Sequence, residues 1–138
     1  MMKLLFANLA SGDCTIKDVT PELVGLGGRG LSSAIIATRV DPKADPLSPE
    51  NILVFSAGIL AGTVVPNGGR LSVGAKSPLT GGIKEANAGG TSARKLANLG
   101  IQAVVVKGQA AEPSILVIDP EGAELKPAGD LWGLGTYG

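Results

Sequence analysis

A chain of 138 residues with 44% hydrophobic and 17% charged side chains has the length of one domain and enough apolar material for a core, which excludes a disordered polyelectrolyte. Its 12 basic and 12 acidic side chains cancel, which excludes a basic nucleic-acid arm. No histidine and a single cysteine, Cys14, exclude zinc sites, cysteine-held iron–sulfur clusters, internal disulfides and Ser-His-Asp or Cys-His catalysis.

Lys3 to Leu9, the turn Ser11-Gly12-Asp13, and Thr15 to Val19 read as a β-hairpin. The same opening is a poor leader peptide, because Asn8 interrupts its apolar run and no small-x-small site follows. Thr20-Pro21-Glu22 has the cap, proline and acid of a helix start. After Gly27-Gly28-Arg29-Gly30, residues Leu31, Ala34, Ile35 and Thr38 are spaced as one face of a helix ending near Arg39. The glycines there read as packing and turn residues.

Asp41 to Asn51, with three prolines, reads as a solvated connector. Ile52 to Phe55 is expected to be a strand covered on both faces. The apolar stretch from Ile52 to Val65 is too short and too broken by Ser56, Gly58, Gly62 and Thr63 to span a membrane, and reads as buried core. Leu71 to Ala75 and Ile83 to Ala86 are short strands among turns. A helix follows Ala88-Gly89-Gly90, with Ala93, Leu96 and Ala97 inward, and stops at Gly100. Ile101 to Lys107, Ser114 to Asp119 and Ala123 to Lys126 complete the strands. Two glycine-led helices suggest a weak internal duplication. The fold class is α+β, with mixed β-sheets and short glycine-led helices. One unpaired cysteine and no targeting segment predict a reducing cytoplasm.

The 21 glycines and 9 prolines exceed a fifth of the chain, against about 12% in ordinary domains, so the backbone is expected to carry much of the function. Charge is also uneven. Arg70, Lys76, Lys84, Arg94, Lys95 and Lys107 face only Glu85, so residues 70–107 carry +5 and the remainder −5. Cations and bare main-chain N–H groups in one segment point to an anionic ligand, with phosphate the natural candidate.

Arg70, after Asn67-Gly68-Gly69, can grip phosphate or carboxylate with two bonds, or be an ordinary surface arginine. Asn87-Ala88-Gly89-Gly90 before a helix offers anion-binding amides, or simple capping. Lys76 and Lys84 read as solvated, and Trp132 and Tyr137 as hydrophobic anchors. Glu22, Glu50 and Glu85 have no visible partner to make any of them an acid or base. A stand-alone phosphate- or nucleotide-binding module without catalysis is compatible with these residues.

The strings DPLSPEN (45–51), SAGILAGTVVPNGGR (56–70), KSPLTGGIKEANAGG (76–90) and LANLGIQAVVVKGQA (96–110), with NLASGD, GLGGRGLSS and DLWGLGTYG, occur in one order along the chain. Together they resemble the N-terminal domain of the tungsten-containing aldehyde ferredoxin oxidoreductase family. The resemblance implies a tungsten ion, or molybdenum in some relatives, held by two pyranopterins near a [4Fe-4S] cluster, with this domain as a base beneath the pterins. It assigns cofactor contacts to Arg70, Asn87 and Gly89, and gives the Asn87 backbone carbonyl to a magnesium ion bridging the pterin phosphates. The implied reaction is oxidation of aldehydes to carboxylic acids with ferredoxin as electron acceptor. Residues 1–138 are then an N-terminal pterin-cofactor-binding domain truncated at its C-terminal end. The cluster cysteines lie outside it and the stretch alone is not expected to be active. Its expected partners are the pterin cofactor, the remaining domains and ferredoxin, with no nucleic acid and no membrane; homo-oligomerisation is left open.

Overall fold

The computed structural model, which describes residues 2–135, folds the apolar run at the start of the chain as a strand. β1 (Lys3–Asn8) and β2 (Cys14–Asp18) form the expected antiparallel hairpin. Ser11 Oγ donates to Asp13 Oδ2 at 2.6 Å inside its turn. Thr20-Pro21-Glu22 begins only one 3-10 turn, Pro21–Leu23.

Helix α1 (Gly28–Arg39) ends where expected, but its buried stripe is Leu31, Ser32, Ile35 and Ile36. Ala34 is only half-buried and Thr38 is exposed. The face is turned because Gly74 lies opposite: a Cβ there would sit 3.0 Å from Ile36 Cδ1 and 3.3 Å from Ser32. With no side chain at Gly74 the helix settles onto the sheet at Ser32, whose Oγ is 3.1 Å from the buried Ser72 Oγ.

The remaining strands are β3 (Ile52–Ala57), β4 (Leu71–Lys76), β5 (Ile83–Ala88) and β6 (Ile101–Lys107), with helix α2 (Ser92–Asn98) between the last two. They join the first hairpin in a six-stranded sheet of order β2-β1-β6-β3-β4-β5. β1 and β6 are parallel and all other neighbours antiparallel. A separate hairpin pairs β7 (Ser114–Asp119) with β8 (Gly122–Pro127). This is the expected α+β class with mixed sheets.

Alternation along the strands divides the core in two. On one face α1 packs over Leu4, Val54, Ala103 and Val105. On the other, Leu96 of α2, Leu99 just after it, and Leu116 and Ile118 of β7 cover Leu5 and Val104. Hairpin, helix and strand therefore occur twice in order, and the sheet order is a palindrome of the two triplets. The halves are not repeats, because β1 joins β6 in parallel where the corresponding β4 joins β3 antiparallel.

Several expectations are corrected. Of β3, Ile52 and Val54 are buried, whereas Leu53 is exposed and Phe55 half-covered. The apolar run stops being core at Ala57: Ile59, Leu60, Val64 and Val65 lie in an exposed loop, and only Ala61 returns inside. Lys76 is buried, not solvated, and its Nζ donates to the carbonyls of Pro42 and Ala44. Asn51 ties the same connector to β4, accepting from Lys76 N at 3.1 Å and donating to Lys76 O at 3.0 Å. The connector 41–51 is thus pinned to the sheet through main-chain groups the sequence does not display. Trp132 is exposed instead of buried as an anchor, and Tyr137 lies outside the described residues.

Gly27 fits the packing role read for its segment. It precedes α1 with an extended backbone, and a Cβ on it would lie 2.7 Å from the Ile59 main-chain nitrogen and 3.1 Å from Gln102 Nε2. Gln102, buried at an irregularity between β1 and β6, donates to Ala57 O at 2.9 Å. Gly27→Ala therefore forces backbone apart at the junction of α1, β3 and β6. It should lower stability by about 1–3 kcal/mol, read as a lower urea midpoint with unchanged slope; an unchanged midpoint would contradict the packing described.

Candidate functional site

The KSPLTGG segment is the closed end of the β4–β5 hairpin. Ser77 N donates to Gly82 O at 2.7 Å, and Ser77 Oγ accepts from the main chain of Leu79 and Thr80. From that turn the two strands run in register, from Lys76 opposite Ile83 to Leu71 opposite Ala88. Arg70 and Gly89 are the next residues outward on either strand. Ala57 pairs with Leu71 on the other side, so Gly58 joins them, and a Cβ on Gly58 would lie 3.9 Å from the Arg70 carbonyl. Three strand ends thus meet in backbone little screened by side chains.

Two of the three residues assigned from the resemblance are brought together here. Arg70 is exposed and makes no ion pair among the described residues. Gly89 has open space where a Cβ would project. Asn87 is placed differently from the sequence reading: it is not in a turn before a helix but in β5, paired with Ser72 two positions inside. The left-handed residue of this bend is Gly90, at φ +111°, and a side chain there would be strained. Gly89 itself has no positive φ.

The Asn87 side chain is held by a group the sequence reading left without a partner. Its Nδ2 donates to Glu85 Oε2 at 3.2 Å, and Arg29 Nε donates to the same oxygen at 3.0 Å. The Glu85 side chain is 7% exposed against 72% for Arg29, and Glu85 Oε1 is buried without a partner. Arg29 and Glu85 are 56 residues apart, so only the seating of α1 over β5 reveals the pair. Of the glycines around Arg29, Gly27 packs as expected, Gly28 supplies a positive φ of 53° and Gly30 is exposed, while the arginine pairs with the acid beside Asn87.

The basic segment does not converge as a whole. The sheet registers put Lys76, Lys84 and Lys107 towards the opposite end of the sheet, near the β4–β5 turn and the start of β3. Arg70 remains at the open end. Arg94, which the sequence reading counted only as one cation of the basic segment, also lies there, lining a cavity with Gly69 and Gly90. Its distinguishing signal would have been its place one turn after the Gly89-Gly90 bend. No cluster of three or more His, Cys, Asp or Glu side chains that could hold a metal occurs among the described residues, and no described helix is long and apolar enough to cross a membrane.

Among the described residues the three strand ends form an open framework of exposed backbone with the unpaired Arg70 beside it. The family model for the aldehyde ferredoxin oxidoreductase N-terminal domain matches residues 4–138, and the chain belongs to that family. It is 42% identical over 133 residues to the tungsten-containing aldehyde ferredoxin oxidoreductase of Pyrococcus furiosus, and 41% identical over 133 to that of Thermococcus kodakarensis. In both cases 95% of this chain is covered but 22% of the relative, so it spans about a fifth of their length. Among solved structures, the active-site complex BamBC of benzoyl coenzyme A reductase with 1,5-dienoyl-CoA superposes with a TM-score of 0.92 at 31% identity, covering 98% of this chain and 21% of that one. The fold and family expectations are borne out by these matches.

Two outcomes follow from the local chemistry. Removing the guanidinium by Arg29→Ala leaves Glu85 buried with Asn87 as its remaining partner. Because Arg29 is largely solvated, the expected loss is about 1–2 kcal/mol, less than for a buried pair; equal urea midpoints for variant and parent would show that the pair stabilises nothing. Burial, and then the charge of Asp13, push the Cys14 thiol above its usual value. The thiol therefore stays protonated at neutral pH, and its iodoacetamide alkylation should be slower at pH 7.5 than that of a peptide cysteine and accelerate above pH 9; equal rates at pH 7.5 would contradict this.

Proposed function

We propose that residues 1–138 are the N-terminal, pterin-cofactor-binding part of an oxidoreductase that oxidises aldehydes to carboxylic acids and passes the electrons to ferredoxin. The observation that carries this reading is the β4–β5 register, which sets Arg70 opposite Gly89, in a chain 42% identical to a tungsten-containing enzyme of that activity. The group would be a tungsten bis-pyranopterin, with molybdenum as the alternative metal.

The donor chemistry at the strand ends fits the phosphate end of such a group. A guanidinium gives two parallel hydrogen bonds to a phosphate, and Gly89 lets a large ligand approach main chain with no Cβ in the way. Arg70 and Gly89 would hold the phosphates, and Asn87 would lie beside them with its side chain anchored on Glu85. The Asn87 backbone carbonyl is a hard oxygen that would suit a magnesium ion accompanying the phosphates, since that ion keeps few protein ligands when phosphates supply the rest. When bound, the tungsten centre supplies the redox chemistry. This chain's part is to orient it. The [4Fe-4S] cluster needs cysteines this chain lacks and falls to the remainder of the enzyme. The single free cysteine suits a cytoplasmic setting.

The test is isolation of the native protein under anaerobic conditions with antibodies raised against this chain, followed by metal and pterin analysis. The reading expects tungsten or molybdenum together with pterin in fixed ratio to the polypeptide; protein lacking both metals and pterin would overturn it. In the same polypeptide Arg70→Ala should lower cofactor content severalfold while changing stability by less than about 0.5 kcal/mol, because an exposed arginine packs against little. Equal cofactor content in variant and parent would remove Arg70 from the site.

A further inference from the structure

Past the C-terminal end of α1 lies a hollow of about 420 Å³. It is at the end of the sheet remote from Arg70 and Gly89, because Lys107 in its lining pairs with Ile52 at the start of β3, whereas Ala57 at the other end pairs with Leu71. Three cations surround it, each from a different element: Lys17 of β2, Arg39 of α1 and Lys107 of β6. All three are exposed. Glu50 is the one acid in the lining, and it is ion-paired with none of them, the ion pairs among the described residues being Arg29–Glu85 and Lys126–Glu124.

Phe6 draws two of these charges together. Its ring centre lies 4.7 Å from Arg39 Cζ and 5.9 Å from Lys17 Nζ, within the reach of cation–π attraction. The ring has no net charge, so the repulsion between the cations is left for an anion to relieve. Phe6 also packs against the core cluster under α1, and with cations over its ring no free face remains on which a nucleobase or other flat group could stack. Ile52 and Val105 in the lining are 7% and 2% exposed, so the hollow offers little apolar surface to a small organic molecule. What it offers is charge, spread over three elements. A compact anion satisfies only part of that spread. Carboxylates strung along one backbone reach all of it, the later ones binding at the high effective concentration that the first creates.

We infer that this hollow is a docking site for an acidic peptide segment of a partner protein, whose carboxylates are taken up by Lys17, Arg39 and Lys107. Arg39 is the centre of the site, since its planar fork grips a carboxylate with two bonds and Phe6 holds it in place. Charge complementarity of this kind steers the partner and sets its register. The site goes beyond the cofactor reading: it uses none of the residues assigned to the cofactor, and its failure would leave that reading standing.

The probes are a capped oligoglutamate peptide, its oligoglutamine counterpart and citrate, titrated into the 138-residue chain and followed by amide and arginine side-chain NMR signals. Oligoglutamate should bind saturably, shift Phe6, Lys107 and the Arg39 Nε–H, and bind at least tenfold more tightly than citrate, while oligoglutamine should shift none of them. Added salt should weaken the binding, because the three cations are exposed. Arg39→Ala should weaken it at least fivefold and Arg39→Lys should recover part of the loss. Phe6→Leu, which keeps every charge but removes the ring that gathers them, should also weaken it severalfold. Lys84→Ala, which removes one charge from the opposite edge of the sheet, should leave the affinity within twofold. No saturable shift at these signals, or equal affinity for the parent and Arg39→Ala, would overturn the proposal. Citrate binding as tightly as oligoglutamate would also overturn it, by making the hollow a small-anion site.

Discussion

The organisation of the molecule turns on the register of β4 and β5. Because side chains alternate along a strand, a slip of one residue would exchange the faces on which Glu85 and Asn87 lie and carry them away from α1. It would also remove Arg70 from opposite Gly89. Two contacts bear on that register: the Ser77–Gly82 turn closes the hairpin, and Arg29 of α1 reaches Glu85 of β5. Asn51, which clamps both main-chain groups of Lys76, and Gly74, on which α1 sits, place β4 itself. β5 is an edge strand, with no neighbour beyond it among the described residues to correct an error.

The two ends of the hairpin serve different purposes. At the closed end a buried lysine satisfies two carbonyls of the connector, which makes its charge structural. At the open end the guanidinium of Arg70 has no partner among the described residues and the glycines leave main chain uncovered. Uncompensated cations and bare backbone are poor for stability on their own and useful for holding an anion. That arrangement is coherent for a domain of the aldehyde ferredoxin oxidoreductase family, whose contribution would be orientation of a reactive group.

Much of this was legible in the sequence. Glycine punctuation and β-branched runs predict the strands and both helices, and Gly100, at φ +75°, ends α2 as a helix-stopping glycine should. The DPLSPEN, PNGGR, KSPLTG and ANAGG strings give the family. What the sequence hides is set by contacts between distant segments. Asn87 belongs to a strand because Leu71 pairs with Ala88, not because of its neighbours. Lys76 looks like a solvated lysine until the connector folds across it. The buried face of α1 is turned by a glycine 42 residues beyond Ser32, and the Arg29–Glu85 pair exists only once that helix is seated. The exposed 59–65 loop has the composition of core, and nothing local distinguishes it from core.

The central claim is that the ends of β4 and β5 receive the charged tails of the cofactor. It is tested most directly by diffraction from crystals of the native, metal-containing protein, with the metal located from its anomalous signal and the phosphates from density. The account predicts a phosphate oxygen within hydrogen-bonding distance of the Arg70 guanidinium and of main chain at Gly89, with any bridging cation at the Asn87 carbonyl. Phosphates bound on another part of the surface, with Arg70 turned to solvent, would contradict it.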